Sequence, residues 1–319
     1  MRQYLARRFL LFIPTLLLVS VVIFTVLRVL PGDVAVLILA GPEGQGRYTQ
    51  ADLENVRTRL GLNQPIHVQY MSWISNAVRL DMGDSLFTGL SVRDEMVRRL
   101  PVTFELAMVT LAASLLIALP LGMIMALRQD TPLDYVLRIV TIGGLTMPPF
   151  WIGSIIILAL VLFFGWMPPI GWKSIFADPW GNFQIIIFPS VAMGYFYAAV
   201  VSRMTRSTML EVLRQDYVRT AWAKGLRERV VVLRHALRNA LLPVITISAF
   251  QFGALLGGTV VMEWLFALPG LGTALVNGVL DRDYPMVQAI ILLIALWFML
   301  INLGVDLLYG WLDPRIRYR

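Results

Sequence analysis

The chain has no cysteine, which excludes disulfides, thiolate-ligated metals and cysteine nucleophiles. Its two histidines, His67 and His235, lie far apart and outside any metal-ligand spacing. Charge is scarce as well: 15% of residues are charged and 58% are apolar, too few polar side chains to cover a soluble globule of 319 residues. A phosphate-cradling GxxxxGKS/T motif is missing, and GPEGQGR, starting at Gly41, lacks both the lysine and the strand-to-helix context. Neither HExxH nor GxSxG occurs, and no ionisable cluster interrupts the central apolar blocks. The chain is therefore expected to hold no cofactor or metal, to bind no ATP and to catalyse no hydrolysis.

What the chain has instead is apolar residues in long blocks, which makes lipid the expected solvent. A helix needs roughly 20 mostly apolar residues to cross a hydrocarbon core of about 30 Å. Residues 9–30, 106–127, 139–166, 239–262 and 285–305 meet that length, and 185–202 qualifies with little tilt. The first block follows Arg2, Arg7 and Arg8 like a signal peptide, but it is long and ends in no small-residue cleavage site, so it is read as the first span. Six crossings put both termini on one side. Arg2, Arg7 and Arg8, Arg315, Arg317 and Arg319, and the short loop with Arg128 and Arg138 assign that side to the cytoplasm. The net charge of +7 thus reads as an orientation signal and not as a nucleic-acid surface. The expected fold is an all-α membrane protein.

Residues 1–30 form the cytoplasmic tail and first span, and residues 31–100 an external helical cap. Within the cap, Thr49 with Asp52 opens one helix, Gly61 closes it, and Ser91 with Asp94 opens another. Ile66, Tyr70, Trp73, Ile74 and Ala77 follow Pro65 at helical spacing and predict a stripe packed on the bundle. Arg28, near the outer end of the first span, is expected to snorkel, and Trp166, Trp172 and Trp180 to anchor the outer interface. Asp306 is expected to pair with an arginine of the tail or loop.

The remaining core, residues 101–319, has a few positions that loosen a helix. Thr146, Met147, Pro148, Pro149 and Phe150 fall midway along the third span, whose helix should end near Gly165. Gly253, Gly257 and Gly258 fall in the fifth, where GxxxG serves close packing or a moving interface equally well. Glu263 closes that span ahead of ALPGLG, a tight turn at the external face. Thr146, Met147, Pro148, Phe150, Gln251 and Glu263 are accordingly the candidates for a translocation path or its gate.

Residues 203–240 carry nine Lys or Arg against three acids, so this loop is expected inside. Tyr217 and Ala221 are one helical turn apart, Gly225 is placed to stop that helix, and Leu226 begins another: a helix, an elbow and a helix. On the second helix Arg227, Arg234 and Arg238 share one face, and Val230, Leu233 and Leu237 another. By itself, such a segment serves a soluble partner or rests on anionic headgroups with equal ease.

RTAWAKG at residues 219–225, followed by Leu242 and Pro243, resembles the Glu-Ala-Ala…Gly…Leu-Pro signature of binding-protein-dependent ABC importer permeases. LPGD (30–33), GLNQP (61–65), RRLPVTFELA (98–107), RSTMLEVL (206–213), LPGLG (268–272), RDYP (282–285) and LLYGWLDPRIRY (307–318) are similar to the dipeptide and oligopeptide branch, and the run 250–253 to glutathione permeases. Arg219 and Thr220 replace the general Glu and Ala, as is usual in that branch. The resemblance implies a type I importer fold with six transmembrane helices in the bacterial inner membrane. It also implies a second related permease, two ATPase subunits that bind the ATP and magnesium, and a periplasmic or tethered binding protein. It places ATPase coupling on Asp216, Tyr217, Arg219, Thr220, Ala221, Lys224, Gly225 and Leu226. Its cargo is expected to be di- or oligopeptides, with glutathione, a nickel chelate or an opine as alternatives. Readings of another class are a stand-alone secondary transporter or channel and a membrane-anchored scaffold.

Overall fold

The computed structural model describes residues 2–29, 33–40, 48–59 and 61–312. The motif segments at 30–32, 41–47 and 313–319, including Arg315, Arg317 and Arg319, lie outside the described residues, as do the side chains of Arg2, Arg7, Arg8 and Asp306. Among the described residues the elements between turns and loops are all helices, apart from an isolated bridge between Asp84 and Ser91. It divides into two compact units, residues 1–101 with 270–299 and residues 102–269 with 300–319.

The first unit holds α1 (Arg2–Val29), α2 (Val34–Ala40), α3 (Gln50–Arg59), α4 (Ile66–Val78), the start of α5 (Val92–Leu127), α12 (Leu271–Leu280) and the start of α13 (Tyr284–Leu312). Helix α3 begins with a reciprocal capping box: the Asp52 amide donates to Thr49 Oγ1 at 3.2 Å, and the Thr49 amide donates to Asp52 Oδ2 at 2.8 Å. Helix α4 lays Tyr70 and Trp73 on Phe24 of α1, at centroid distances of 5.4 and 5.8 Å, while the Tyr70 hydroxyl meets Ser20 Oγ at 2.8 Å. Ala77 completes that face, but Ile66 is 66% exposed. It sits in the first turn, short of anything to cover it. Asp283, buried, accepts from Ser85 Oγ and from the Leu86 amide, tying the turn before α5 to the start of α13.

The second unit holds the rest of α5, then α6 (Pro132–Thr146), α7 (Pro149–Phe164), α8 (Pro179–Leu213), α9 (Asp216–Ala223), α10 (Glu228–Val230), a π-helical segment (Val231–Leu237), α11 (Arg238–Leu265) and the end of α13. Helix α8 is its centre, packed on α6, α7 and α11. Ala118, Ala198, Val201 and Val244 make one apolar knot, and Ala126, Met209, Val232, Ala236 and Ala240 another. The small side chains let the backbones approach closely.

Five helices are long and apolar enough to cross a membrane, and the pair α6 and α7 makes a sixth span if its break is counted within one crossing. Residues 139–166 are thus not the single, merely loosened helix expected from the sequence. The first helix begins at Pro132, and the axis turns by 102° before the second. The cause is two consecutive prolines. A proline pushes the residue before it out of the α region, and both Met147 (φ −90, ψ 122) and Pro148 (φ −61, ψ 138) are extended. Helix α7 ends where expected, with Gly165 left-handed at φ 59.

Candidate functional site

At the end of α8 the chain stops at Leu213 and restarts at Asp216 as the short helix α9. That helix closes with a Schellman pair: the Gly225 amide donates to the Trp222 carbonyl at 2.9 Å, and the Leu226 amide to the Ala221 carbonyl at 3.4 Å. The motif needs a left-handed residue, and Gly225 supplies it at φ 75. The chain then turns into α10.

The elbow has a buried root. Val218, Ala221 and Val231 pack together against Val212 and Leu213. Of the eight residues expected to couple, Ala221 therefore faces inward as part of this root. Asp216, Tyr217, Arg219, Thr220, Lys224, Gly225 and Leu226 face outward. Tyr217 is braced by the Asn239 side-chain amide, which donates to its hydroxyl at 2.8 Å, and Thr220 Oγ1 donates to the Asp216 carbonyl at 2.8 Å. Trp222 is 40% exposed on the same small helix, a large apolar side chain left open beside Arg219 and Lys224. Val218 was missed because an apolar residue between Tyr217 and Arg219 shows its direction only once the helix is docked.

The second arm departs from α-helical spacing. Val230 and Leu233, read as sharing an apolar face with Leu237, are exposed, and the buried positions are Val231, Val232, Ala236 and Ala240. The π-helical segment explains the difference. An i→i+5 turn advances the face by one residue relative to an α-turn, so a stripe drawn at 3.6-residue spacing points the wrong way. Arg227, Arg229, Arg234 and Arg238 all remain exposed.

Above the elbow, Asp134 organises the junction of α6 and α8. Its fully buried carboxylate accepts from Arg206 Nε at 3.1 Å and Nη2 at 2.9 Å, from Arg138 through Nε at 3.0 Å and through Nη2, and from the Asp130 amide at 3.0 Å. Two guanidinium forks on one carboxylate satisfy both acceptor oxygens.

The candidates for the path divide into two sets. Thr146, Met147, Pro148 and Phe150 lie at the break between α6 and α7 and are exposed, Met147 at 39% and Phe150 at 50%. Gln251 and Glu263 are buried within α11, twelve residues apart, about 18 Å along its axis. Glu263 is fully enclosed and does not reach solvent. The GxxxG pair is split too: Gly253 is buried, whereas a Cβ on Gly257 would meet nothing within 4 Å. Trp172, expected as an interface anchor, donates its ring N–H to Glu105 Oε2 at 2.8 Å.

Residues 118–318 match the binding-protein-dependent transport system inner membrane component, and residues 1–107 match the N-terminal part of the same membrane component. The glutathione transport system permease proteins GsiC of Escherichia coli and Shigella dysenteriae are each 42% identical over 319 residues, covering all of both chains. Among solved structures, the MetNI methionine ABC transporter in an inward-facing conformation aligns with a TM-score of 0.55 at 16% identity, over 68% of this chain and 96% of that one, a likeness of fold. The helical spans, the elbow and these matches agree, and the chain belongs to the binding-protein-dependent ABC importer permeases, in the peptide and glutathione branch.

Proposed function

We propose that this chain forms half of the translocation path of an ATP-driven importer of small peptides, paired with a second related permease. Two ATPase subunits carry ATP and magnesium and dock on the loop around Gly225, while a soluble or tethered binding protein delivers the solute. The arginine-rich loop 203–240 and both termini lie in the cytoplasm of a bacterial inner-membrane protein.

The observation that carries this reading is the elbow itself. A helix of eight residues has too few hydrogen bonds to be stable alone, yet α9 is fixed by a buried apolar root and a Schellman stop while its other face stays open. That is a rigid handle with a free surface. Docking moves the spans only if the ATP-bound ATPases hold one orientation of the handle more tightly than the other, since equal affinity shifts no population. The break at Thr146, Met147, Pro148 and Phe150 is the natural lining or gate, with Gln251 and Glu263 contributing where helices reorient.

Glutathione stands out within the peptide class because relatives 42% identical along the whole chain bear the glutathione permease name. The test is reconstitution of the chain with its partner subunits in liposomes, followed by uptake of radiolabelled glutathione and of dipeptides. Uptake that needs ATP and the ATPase subunits supports the proposal. Accumulation against a gradient by the chain alone would identify a secondary transporter and defeat it, and a complex that assembles but moves neither solute would defeat the peptide cargo and leave a nickel chelate, an opine or the scaffold reading.

A further inference from the structure

The first unit has a half-open cavity of about 370 Å³, with Arg28, Tyr284 and Gln288 among the residues on its wall together with Gln69, Trp73 and Asp81. Such a volume suits a small organic molecule. Arg28 does not snorkel away from it. Its guanidinium carbon sits 5.2 Å from the Phe24 ring centroid and 5.3 Å from that of Tyr284, held by two aromatic faces. Aromatic faces orient the cation and offer it no acceptor, and Arg28 Nε is buried without a hydrogen bond.

Two further polar atoms share that condition. Gln288 is 4% exposed, and its Nε2 has no partner. Gln69 Nε2 donates to the carbonyls of Leu62 at 3.2 Å and Gln64 at 2.7 Å, which fixes which way the amide points, because the flipped amide would set oxygen against two oxygens. Gln69 Oε1 is therefore a defined acceptor, buried and without a donor. The side chains that carry these three atoms all line the cavity, and leaving the atoms unmet is expensive, since apolar residues would fill the positions more stably. A cationic donor, a neutral donor and an acceptor are complementary to one kind of ligand.

We infer that this cavity binds a small zwitterion with a free carboxylate, an amino acid or the end of a short peptide. The carboxylate meets Arg28 and Gln288 in charge-assisted hydrogen bonds, and the amine meets Gln69 Oε1 with the Asp81 carboxylate on the same wall. Asp81 also disfavours a purely anionic ligand such as phosphate. The site does not depend on the transport reading, since binding here requires no nucleotide.

The test is equilibrium dialysis of radiolabelled glycylglycine against the permease and ATPase complex in lipid nanodiscs, without nucleotide or binding protein. Saturable binding is expected. Gln288→Leu and Gln69→Leu should each weaken it about tenfold or more, and glycylglycinamide should fail to compete. The empty Gln288→Leu complex should melt no lower than wild type, because the substitution removes an unmet amide. Arg28→Met should abolish binding, and if that variant does not insert, the two glutamine variants decide the matter. Absence of wild-type binding means ordered water alone fills the cavity, and unchanged affinity in both leucine variants means the dipeptide binds elsewhere. Either result overturns the inference. Failure of ATP-driven uptake in the wild-type complex would count against the transport reading and leave the dialysis result standing.

Discussion

Gly122 of α5 lies so close to α8 that a methyl group on it would stand 2.5 Å from Thr205 Cβ and 2.7 Å from the Ser202 carbonyl oxygen. The helices touch backbone to backbone there. Gly122→Ala should cost about 1–3 kcal/mol through overpacking. Gly257→Ala, into open space, should be neutral or slightly stabilising. Thermal unfolding of the detergent-solubilised complex compares the two, and equal melting temperatures would contradict the close approach.

Gly225 supplies the left-handed stop of α9. A β-branched residue is strongly disfavoured at φ 75, whereas asparagine tolerates it. Gly225→Val should leave insertion and ATP binding intact but reduce the solute moved per ATP hydrolysed in proteoliposomes, and Gly225→Asn should restore most of it. An unchanged ratio in the valine variant would remove the handle assignment.

Asp134 neutralises two arginines from inside the second unit. Asp134→Asn leaves Arg206 without a counter-charge and Arg138 with only Asp130, 3.1 Å away and exposed. Removing the shared carboxylate should cost about 3–5 kcal/mol. The readout is a lower yield of folded protein and a lower melting temperature, each larger than in Arg206→Met, which removes one of the two cations and leaves the other paired.

In the first unit, Asp33 accepts from Arg57 Nε at 3.0 Å and from the Ala35 amide at 2.9 Å. Burial pushes this carboxyl up, but the Arg57 hydrogen bond and charge, with the Ala35 and Val36 amides, outweigh it and hold the group below the usual carboxylate range. A carboxyl lowered on folding adds stability above its unfolded pKa of about 4, and loses it as pH falls through the folded value. Hydrogen exchange in α2 and α3 should therefore match at pH 7 and pH 5 once corrected for intrinsic rates, and protection should fall only below about pH 4.

Much of the architecture was legible in the residue order. Five of the six apolar blocks gave helices long enough to cross a membrane, Thr49 with Asp52 gave the capping box of α3, and Gly225 and Gly165 gave two helix ends. What escaped was direction. The paired prolines 148 and 149 marked a weak point, but whether a span kinks or turns by 102° depends on what α8 and α11 offer the freed helix. The second arm of the elbow was drawn on an α-helical wheel, and a π-segment rotated its packed face. Arg28 read as a side chain bound for the headgroups: helical spacing puts Phe24 one turn before it, but no sequence pattern brings Tyr284, distant along the chain, against its other side.

The sequence by itself determined the solvent, five of the apolar spans, the family and the place of the elbow, because hydrophobic length and backbone preference at glycine and proline act locally. Tertiary structure decided which face of each helix is buried, that Ala221 roots the elbow while Trp222 is presented, and that Asp134 serves two arginines. Those outcomes rest on contacts between residues far apart in the chain, where a shift of one residue in helical phase turns a side chain by about 100° and exchanges buried for exposed.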